Sequence, residues 1–231
     1  MSKTIVVGDV HLGSRHCRIG RFLRFLDQLP PHVALVLNGD IIDHWHPLPP
    51  RHEQALERLR AESLAGRTVV WLRGNNDQAY RMPEPGAIRF ESVLTLEDKE
   101  GRPWCQVLHG HQFDRLMHGN ALWVWPIRAL HKVRMLLGAP SIHVAQYAKR
   151  WRPIYGWVNA LIVRSAVRHA RQHGVQAVIA GHTHQAEERT VDGIRYVNAG
   201  SWTEDAVHFV EVEEGRILLR AVSDDGSADC D

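Results

Sequence analysis

Seven candidate metal ligands fall in five short blocks along the chain: Asp9-Val10-His11, Gly39-Asp40, Gly74-Asn75-Asn76-Asp77, His109-Gly110-His111 and Gly181-His182-Thr183-His184. The ligand candidates are Asp9, His11, Asp40, Asn75, His109, His182 and His184. A donor set of carboxylate, imidazole and amide without thiolate suits divalent ions such as Mn, Zn or Fe. Seven side chains exceed what one tetrahedral ion uses, whereas two ions sharing a bridging carboxylate employ them all. Two ions about 3.5–4 Å apart can activate water and clamp both oxygens of an in-line phosphoryl displacement. A lone Gly-Asp is usually a turn and a lone Gly-His-Thr-His a loop. Five such blocks, each following a strand-like run, reverse that weighting.

The elements that must position these blocks are legible in outline. Apolar runs at Thr4–Val7, Val33–Leu37, Thr68–Leu72, Trp104–Leu108 and Val175–Ala180 each lead into a block, as buried strands lead into loops. Ligands at the carboxyl ends of several strands converge where open α/β sheets place their sites. Helices are expected over Ile19–Leu29 and Arg51–Ala65, the second with Pro49-Pro50 at its start and Gly66 just past its end. Ile88–Leu96 and Trp104–Leu108 are expected to form an antiparallel pair around the Asp98–Gly101 turn. Strands follow at Gln176–Ala180, Glu187–Val191, Arg195–Val197, Ala206–Val212 and Arg216–Ala221, with hairpin turns at Asp192-Gly193 and Glu214-Gly215.

At 231 residues and 44% hydrophobic content, the chain can bury the core of one large domain, read here as residues 1–222. Residues 223–231 read as a disordered acidic tail. Cys17, Cys105 and Cys230 are an odd number without paired spacing, which predicts reduced thiols in a cytoplasmic protein. Neither a leader pattern at the start nor an 18-residue apolar run is present in the sequence.

Residues 115–173 carry ten Lys or Arg and no Asp or Glu, while the rest of the chain holds 18 basic residues against 26 acidic ones. Four of the eight Trp fall there as well: Trp123, Trp125, Trp151 and Trp157. Apolar residues recur at helical spacing, which predicts a basic helical insert over residues 113–173, forming a cap over the site or a ledge beside it. Solvated charge on helices packed against the core would account for it. So would an anionic membrane surface or lipid head group, a nucleic acid, or the rim of a nucleotide site.

The blocks Gly8-Asp9-Val10-His11, Gly39-Asp40-Ile41-Ile42-Asp43, Gly74-Asn75-x-Asp77, His109-Gly110-His111 and Gly181-His182-Thr183-His184 together resemble the calcineurin-like metallophosphoesterase superfamily. The resemblance spans residues 5 to about 202 and implies a four-layer α/β/β/α sandwich with a dinuclear centre. It implies that Asp9, His11 and His184 hold the first ion, Asn75, His109 and His182 the second, and that Asp40 bridges. The implied reaction is attack of a metal-bound hydroxide on phosphorus, with Mn²⁺ the favoured ion and Zn²⁺ or Fe the alternatives. Within the superfamily, Gly39-Asp40-Ile41-Ile42-Asp43-His44-Trp45, the insert and Asn198-Ala199-Gly200-Ser201-Trp202 are similar to the UDP-2,3-diacylglucosamine hydrolase group of lipid A biosynthesis. Two positions depart. Asn76 stands where the superfamily commonly has His and this group Arg, and His111 where the group often has Asp.

Asn76 can donate a hydrogen bond but cannot supply a proton at neutral pH, so a good leaving group would miss the acid least. Asn76 and His111, with Asp40, are the expected catalytic residues. Arg73, Asn76, His111, His16, Trp123 and Arg164 are the expected substrate contacts, and Asp43 and Asp77 the expected orienters of the ligands. The favoured substrate is a UDP-linked acylated sugar or another phosphate-containing small molecule, met at the inner face of an anionic membrane. A nuclease or small-nucleotide phosphodiesterase is the first alternative, and a catalytically silent scaffold the second.

Overall fold

The computed structural model describes residues 3–43, 47–114 and 152–223. Two sheets lie between helices. The first sheet has six strands in the order β11-β10-β1-β2-β3-β4 and the second five, β5-β6-β7-β9-β8. The strands are β1 Thr4–Val7, β2 Ala34–Asn38, β3 Val69–Leu72, β4 Arg89–Glu91, β5 Val93–Glu97, β6 Pro103–Leu108, β7 Ala177–Ala180, β8 Glu187–Val191, β9 Ile194–Asn198, β10 His208–Glu213 and β11 Arg216–Ala221. In each sheet a run of adjacent strands is parallel: β1, β2, β3 and β4 in the first, β6, β7 and β9 in the second.

Alternation along these strands separates three cores, because successive side chains leave a strand on opposite faces. Ile5, Val7, Leu35, Leu37, Val69 and Trp71 pack on helices α1 (Ile19–Gln28) and α2 (Pro50–Leu64). Val6, Val36, Val70 and Leu72 face the second sheet and meet Cys105, Val107, Ala177, Ile179 and Val197. On the far side of the second sheet, Leu108, Val178, Ala180 and Tyr196 pack on α3 (Arg152–Gln172) through Val163, Ala166, Val167 and Ala170. The result is the four-layer α/β/β/α sandwich that the family resemblance implies. Each fully buried aliphatic side chain contributes about 1.5–3 kcal/mol, so the central strands must read as unbroken apolar runs.

α1 forms because Ile19, Phe22, Phe25 and Leu26 fall on one face, and it stops ahead of Pro30-Pro31. α2 starts with Pro50 at its first position, where a missing N–H costs nothing, and Gly66 follows it at φ +96°.

One expected element divides. The run Ile88–Leu96 is two strands: β4 pairs with β3 in the first sheet, and β5 pairs antiparallel with β6 in the second. The chain changes sheets at Ser92, between them. The alternating pattern continues through the crossing, so periodicity carries no mark of the change of partner. Trp123, the tail and most of the insert lie outside the described residues, as do His44 to His46. No helix among the described residues is long and apolar enough to cross a membrane.

Candidate metal centre

The carboxyl ends of β1, β2, β3, β6 and β7 open onto one spot between the sheets. The pairing of β1 and β2 continues past the strands: the N–H groups of Asp9, His11 and Leu12 donate to the carbonyls of Gly39, Asp40 and Ile41 at 3.0, 3.0 and 2.7 Å. Two ligand loops are thereby fixed through main chain.

Backbone conformation marks the same positions. Asp9, His11, Asp40, His182 and His184 all have φ between 50° and 69°, a left-handed region costly for residues with a Cβ. Such strain persists where the surroundings over-determine it, and it concentrates at functional sites. The adjoining glycines are needed for closeness. A Cβ on Gly74 would stand 2.1 Å from Asp40 Oδ1, and one on Gly39 (φ +75°) 2.6 Å from the His109 ring.

Two groups of buried donors result, Asp9 with His11 and His184, and Asp9 with Asp40 and His109, the donor atoms within each lying within 4.8 Å of one another. His11 Nε2 and His184 Nε2 are 3.1 Å apart, and Asp9 Oδ1 lies 3.2 Å from His184 Nε2 and 3.9 Å from His11 Nε2. Asp40 Oδ1 lies 3.4 Å from His109 Nε2 and accepts the Asn76 backbone N–H at 2.9 Å. Asn75 Oδ1 is 3.3 Å from His109 Nε2. His109 Nδ1 sits 2.9 Å from the Asn38 carbonyl, which keeps a proton on that nitrogen and turns Nε2 toward the carboxylates.

These residues fit a pair of cations. Asp9 Oδ1 is fully buried and faces the ring nitrogens of His184 and His11, a buried carboxylate oxygen that a bound cation would suit. The electrostatics agree. Burial disfavours the charged form of His109, but Asp40 and then Asp9 outweigh it and lift the imidazole to about 10. His11 is raised against the same burial penalty by Asp43, Asp9 and Asp40. Burial opposes ionisation of Asp9 and Asp40, and the facing histidines hold both below the usual carboxylate range. Protons gather where positive charge is wanted, and a metal ion supplies it instead.

The other expected residues are distributed less tightly. His182 stands beside His109, ring centroids 5.4 Å apart, with Nε2 at 2.9 Å from Asp114 Oδ2. His111 lies 5.5 Å from His109 between ring centroids and is half-buried. The Asn76 amide nitrogen reaches Asp43 Oδ1 at 3.2 Å and His11 Nδ1 at 3.4 Å. Asp43 Oδ1 also lies 3.5 Å from His11 Nδ1. Asp77 works differently from expectation. Its carboxylate accepts the backbone N–H of Ile41 and Gly74 and the Trp71 indole N–H, at 2.8, 2.7 and 3.0 Å, so it ties two ligand loops through main chain. The Arg73 guanidinium donates to the Gln78 carbonyl and lies over the Phe90 ring, His16 is half-buried on the loop after β1, and Arg164 is exposed on α3.

Several supports fall outside the five ligand blocks. Asp114 holds His182; His52 Nδ1 accepts the Gly13 N–H at 2.9 Å; Asn198 donates to the Gly181 carbonyl and Thr183 Oγ1 at 2.8 and 3.1 Å. Asn198 stands in the Asn-Ala-Gly-Ser-Trp string, whose polar residues in a buried setting were the available signal.

Comparison with known proteins agrees with this geometry. The family described as calcineurin-like phosphoesterase matches residues 2–186. The chain is 28% identical over 242 residues to the UDP-2,3-diacylglucosamine hydrolase of Edwardsiella ictaluri, covering 95% of this chain and 83% of that protein. It is 29% identical over 237 residues to the protein of the same name from Chromohalobacter salexigens, covering 91% and 93%.

Proposed function

The chain belongs to the calcineurin-like phosphoesterase family, and on that premise we propose that it hydrolyses the pyrophosphate linkage of a UDP-linked acylated sugar. A metal-dependent phosphoesterase activity follows from the family and the two donor groups. The finer reading rests on Asn76. The side chain placed beside Asp43 and His11 is an amide, which orients a phosphate by donation but has no proton to give a leaving alkoxide. A phosphate leaving group needs none. Relatives named UDP-2,3-diacylglucosamine hydrolase, matched over most of their length, support the same choice.

In this reading Asp9, His11 and His184 hold one divalent ion, Asn75, His109 and His182 the other, and Asp40 is shared. When bound, the pair, with Mn²⁺ favoured, activates water and offsets charge on the phosphoryl oxygens. His109 and His11 would hold it as neutral imidazoles, and the Asn38 carbonyl keeps His109 in the tautomer that offers Nε2. The Asn76 amide donates to a phosphoryl oxygen, and Asp43 holds that amide and His11 in place. His111, half-buried with its ring 5.5 Å from that of His109, is the remaining imidazole given a catalytic role in this reading. Water adds across the P–O–P bond, giving a nucleoside monophosphate and an acylated sugar phosphate. The basic, acid-free stretch 115–173 suits contact with the anionic surface in which such a substrate resides.

The test is a direct competition. Mn²⁺-loaded protein is given UDP-2,3-diacylglucosamine, a chromogenic phosphodiester and single-stranded DNA, and release of each product is followed. UMP release from the lipid-linked nucleotide at the highest kcat/KM is expected. Preferential cleavage of DNA would replace this reading with the nuclease.

A further inference from the structure

We propose that Asp114 and Tyr155 form a two-point clamp on the loop carrying His182 and His184, and that they act as positioning residues for metal binding. The inference rests on the dinuclear reading above. That loop is under unusual demand, since His182 and His184 both take left-handed φ on either side of Thr183. Beside the hydrogen bonds it makes with Asn198 and with Asp9 Oδ2, two further contacts from elsewhere in the chain meet it there. Asp114, 4% exposed and directly after the His111–Phe113 turn, places Oδ2 at 2.9 Å from His182 Nε2. The Tyr155 hydroxyl, near the start of α3, donates to the Thr183 carbonyl. Burial pushes the Tyr155 phenol up, so it stays a donor throughout the neutral range. One turn further along α3, buried Asn159 donates to Glu187 Oε1 at 2.6 Å, fixing the same helix to the strand that leaves the loop.

The Asp114 contact also decides which nitrogen His182 can offer. With Nε2–H donating to the carboxylate, the lone pair is on Nδ1. His109 is arranged the opposite way, its Nδ1 on a carbonyl and its Nε2 toward the site. A carboxylate behind a ligating imidazole fixes ring orientation and raises basicity, and removing such a partner typically costs about 10- to 100-fold in metal affinity.

Calorimetric titration of metal-free protein with Mn²⁺, paired with electron paramagnetic resonance, tests the clamp. Wild type is expected to take two ions with an exchange-coupled spectrum. Asp114→Ala should weaken one ion by about 10- to 100-fold and yield an isolated-ion spectrum. Asp114→Asn keeps an oxygen acceptor and should recover most of that loss. Tyr155→Phe should weaken both ions, because Thr183 lies between their histidines. A merely structural role would lower the melting temperature of the metal-free variants and leave the spectrum coupled. If Tyr155→Phe does not fold, the Asp114 pair decides alone. Variants that bind two ions as wild type does overturn the clamp and leave the dinuclear reading standing. A wild type that binds one ion or none overturns that reading, and the clamp with it.

Discussion

Two neighbouring imidazoles divide the centre into unlike halves. His109 is fully buried and held by a main-chain carbonyl, as Asp9, His11 and Asp40 are held by backbone pairing between the ends of β1 and β2. His182, 13% exposed, is held by a side chain, and Asn75, Asn76 and His111 line the same open edge. The buried half is specified by the sheet itself and tolerates almost no change of volume. The open half depends on side chains from elsewhere in the chain and is the part of the centre that meets solvent. One fold can therefore keep its metal chemistry while its rim is revised, and Asn76 and His111, the two departures from the related hydrolases, are both on the rim.

Substitutions can break this contrast, and the largest effect belongs to the buried half. Asp40→Asn removes the carboxylate that the proposed reading assigns to both ions, without changing shape, and turnover should fall by at least about 10³-fold, on the order of 4 kcal/mol. Steady-state kinetics on protein with an unchanged circular dichroism spectrum measure it. A loss no greater than that of a rim substitution would erase the distinction.

Gly74→Ala tests volume alone. The added Cβ meets Asp40 Oδ1 at 2.1 Å and its backbone nitrogen at 2.2 Å, so the carboxylate must move by about 1 Å, which costs about 10²-fold in rate. The same change at Gly193, where nothing lies within 4 Å of the new atom, is the control for the assay, although its positive φ will cost some stability.

The electrostatics of the buried half predict a pH dependence of metal binding. His109, raised to about 10 by Asp40 and Asp9 against the opposing effect of burial, is protonated at neutral pH in the metal-free protein. Its proton must leave before Nε2 can ligate, so affinity rises with pH through the neutral range, about tenfold per unit for this one proton. Mn²⁺ titrations between about pH 6.5 and 8.5 would show the slope, and a flat profile would remove His109 from the ligand set.

The smallest effect is expected on the rim. Asn76→His should alter turnover of a pyrophosphate substrate by less than about threefold, while accelerating esters with poor leaving groups by restoring a proton donor. Rates plotted against leaving-group pKa for both proteins are the measurement. Identical slopes would mean that Asn76 does not stand in the acid's place.

The same contrast explains what the sequence could and could not tell. Asp9, His11, Asp40, His109, His182 and His184 are legible because each sits in a local string of strand, glycine and ligand. The runs around β1, β2, β3 and β7 are legible because strands buried on both faces read as unbroken apolar segments. Asp114 and Tyr155 are not, since their partners lie 68 and 28 residues away and no periodicity records such a contact. The division of Ile88–Leu96 was hidden for a related reason: alternation reports which face a side chain takes, never which neighbour the strand pairs with. Asp77 was legible as a helper, but its targets, the N–H groups of Ile41 and Gly74, are main chain and leave no trace in residue identity.

Asp9 is also held from the far end of the fold. Its carbonyl accepts the Trp202 N–H at 3.0 Å and the Ser201 hydroxyl at 2.9 Å, while Trp202 packs edge-on against Phe22 and Phe25. On a ribosome adding about 5–20 residues per second, the 192 residues between Asp9 and Ser201 take roughly 10–40 s to synthesise. For that interval the first ligand loop is in the cell without the latch that fixes it, and β1 is without its partner β10. The first ligand loop is therefore completed by residues made 192 positions after it.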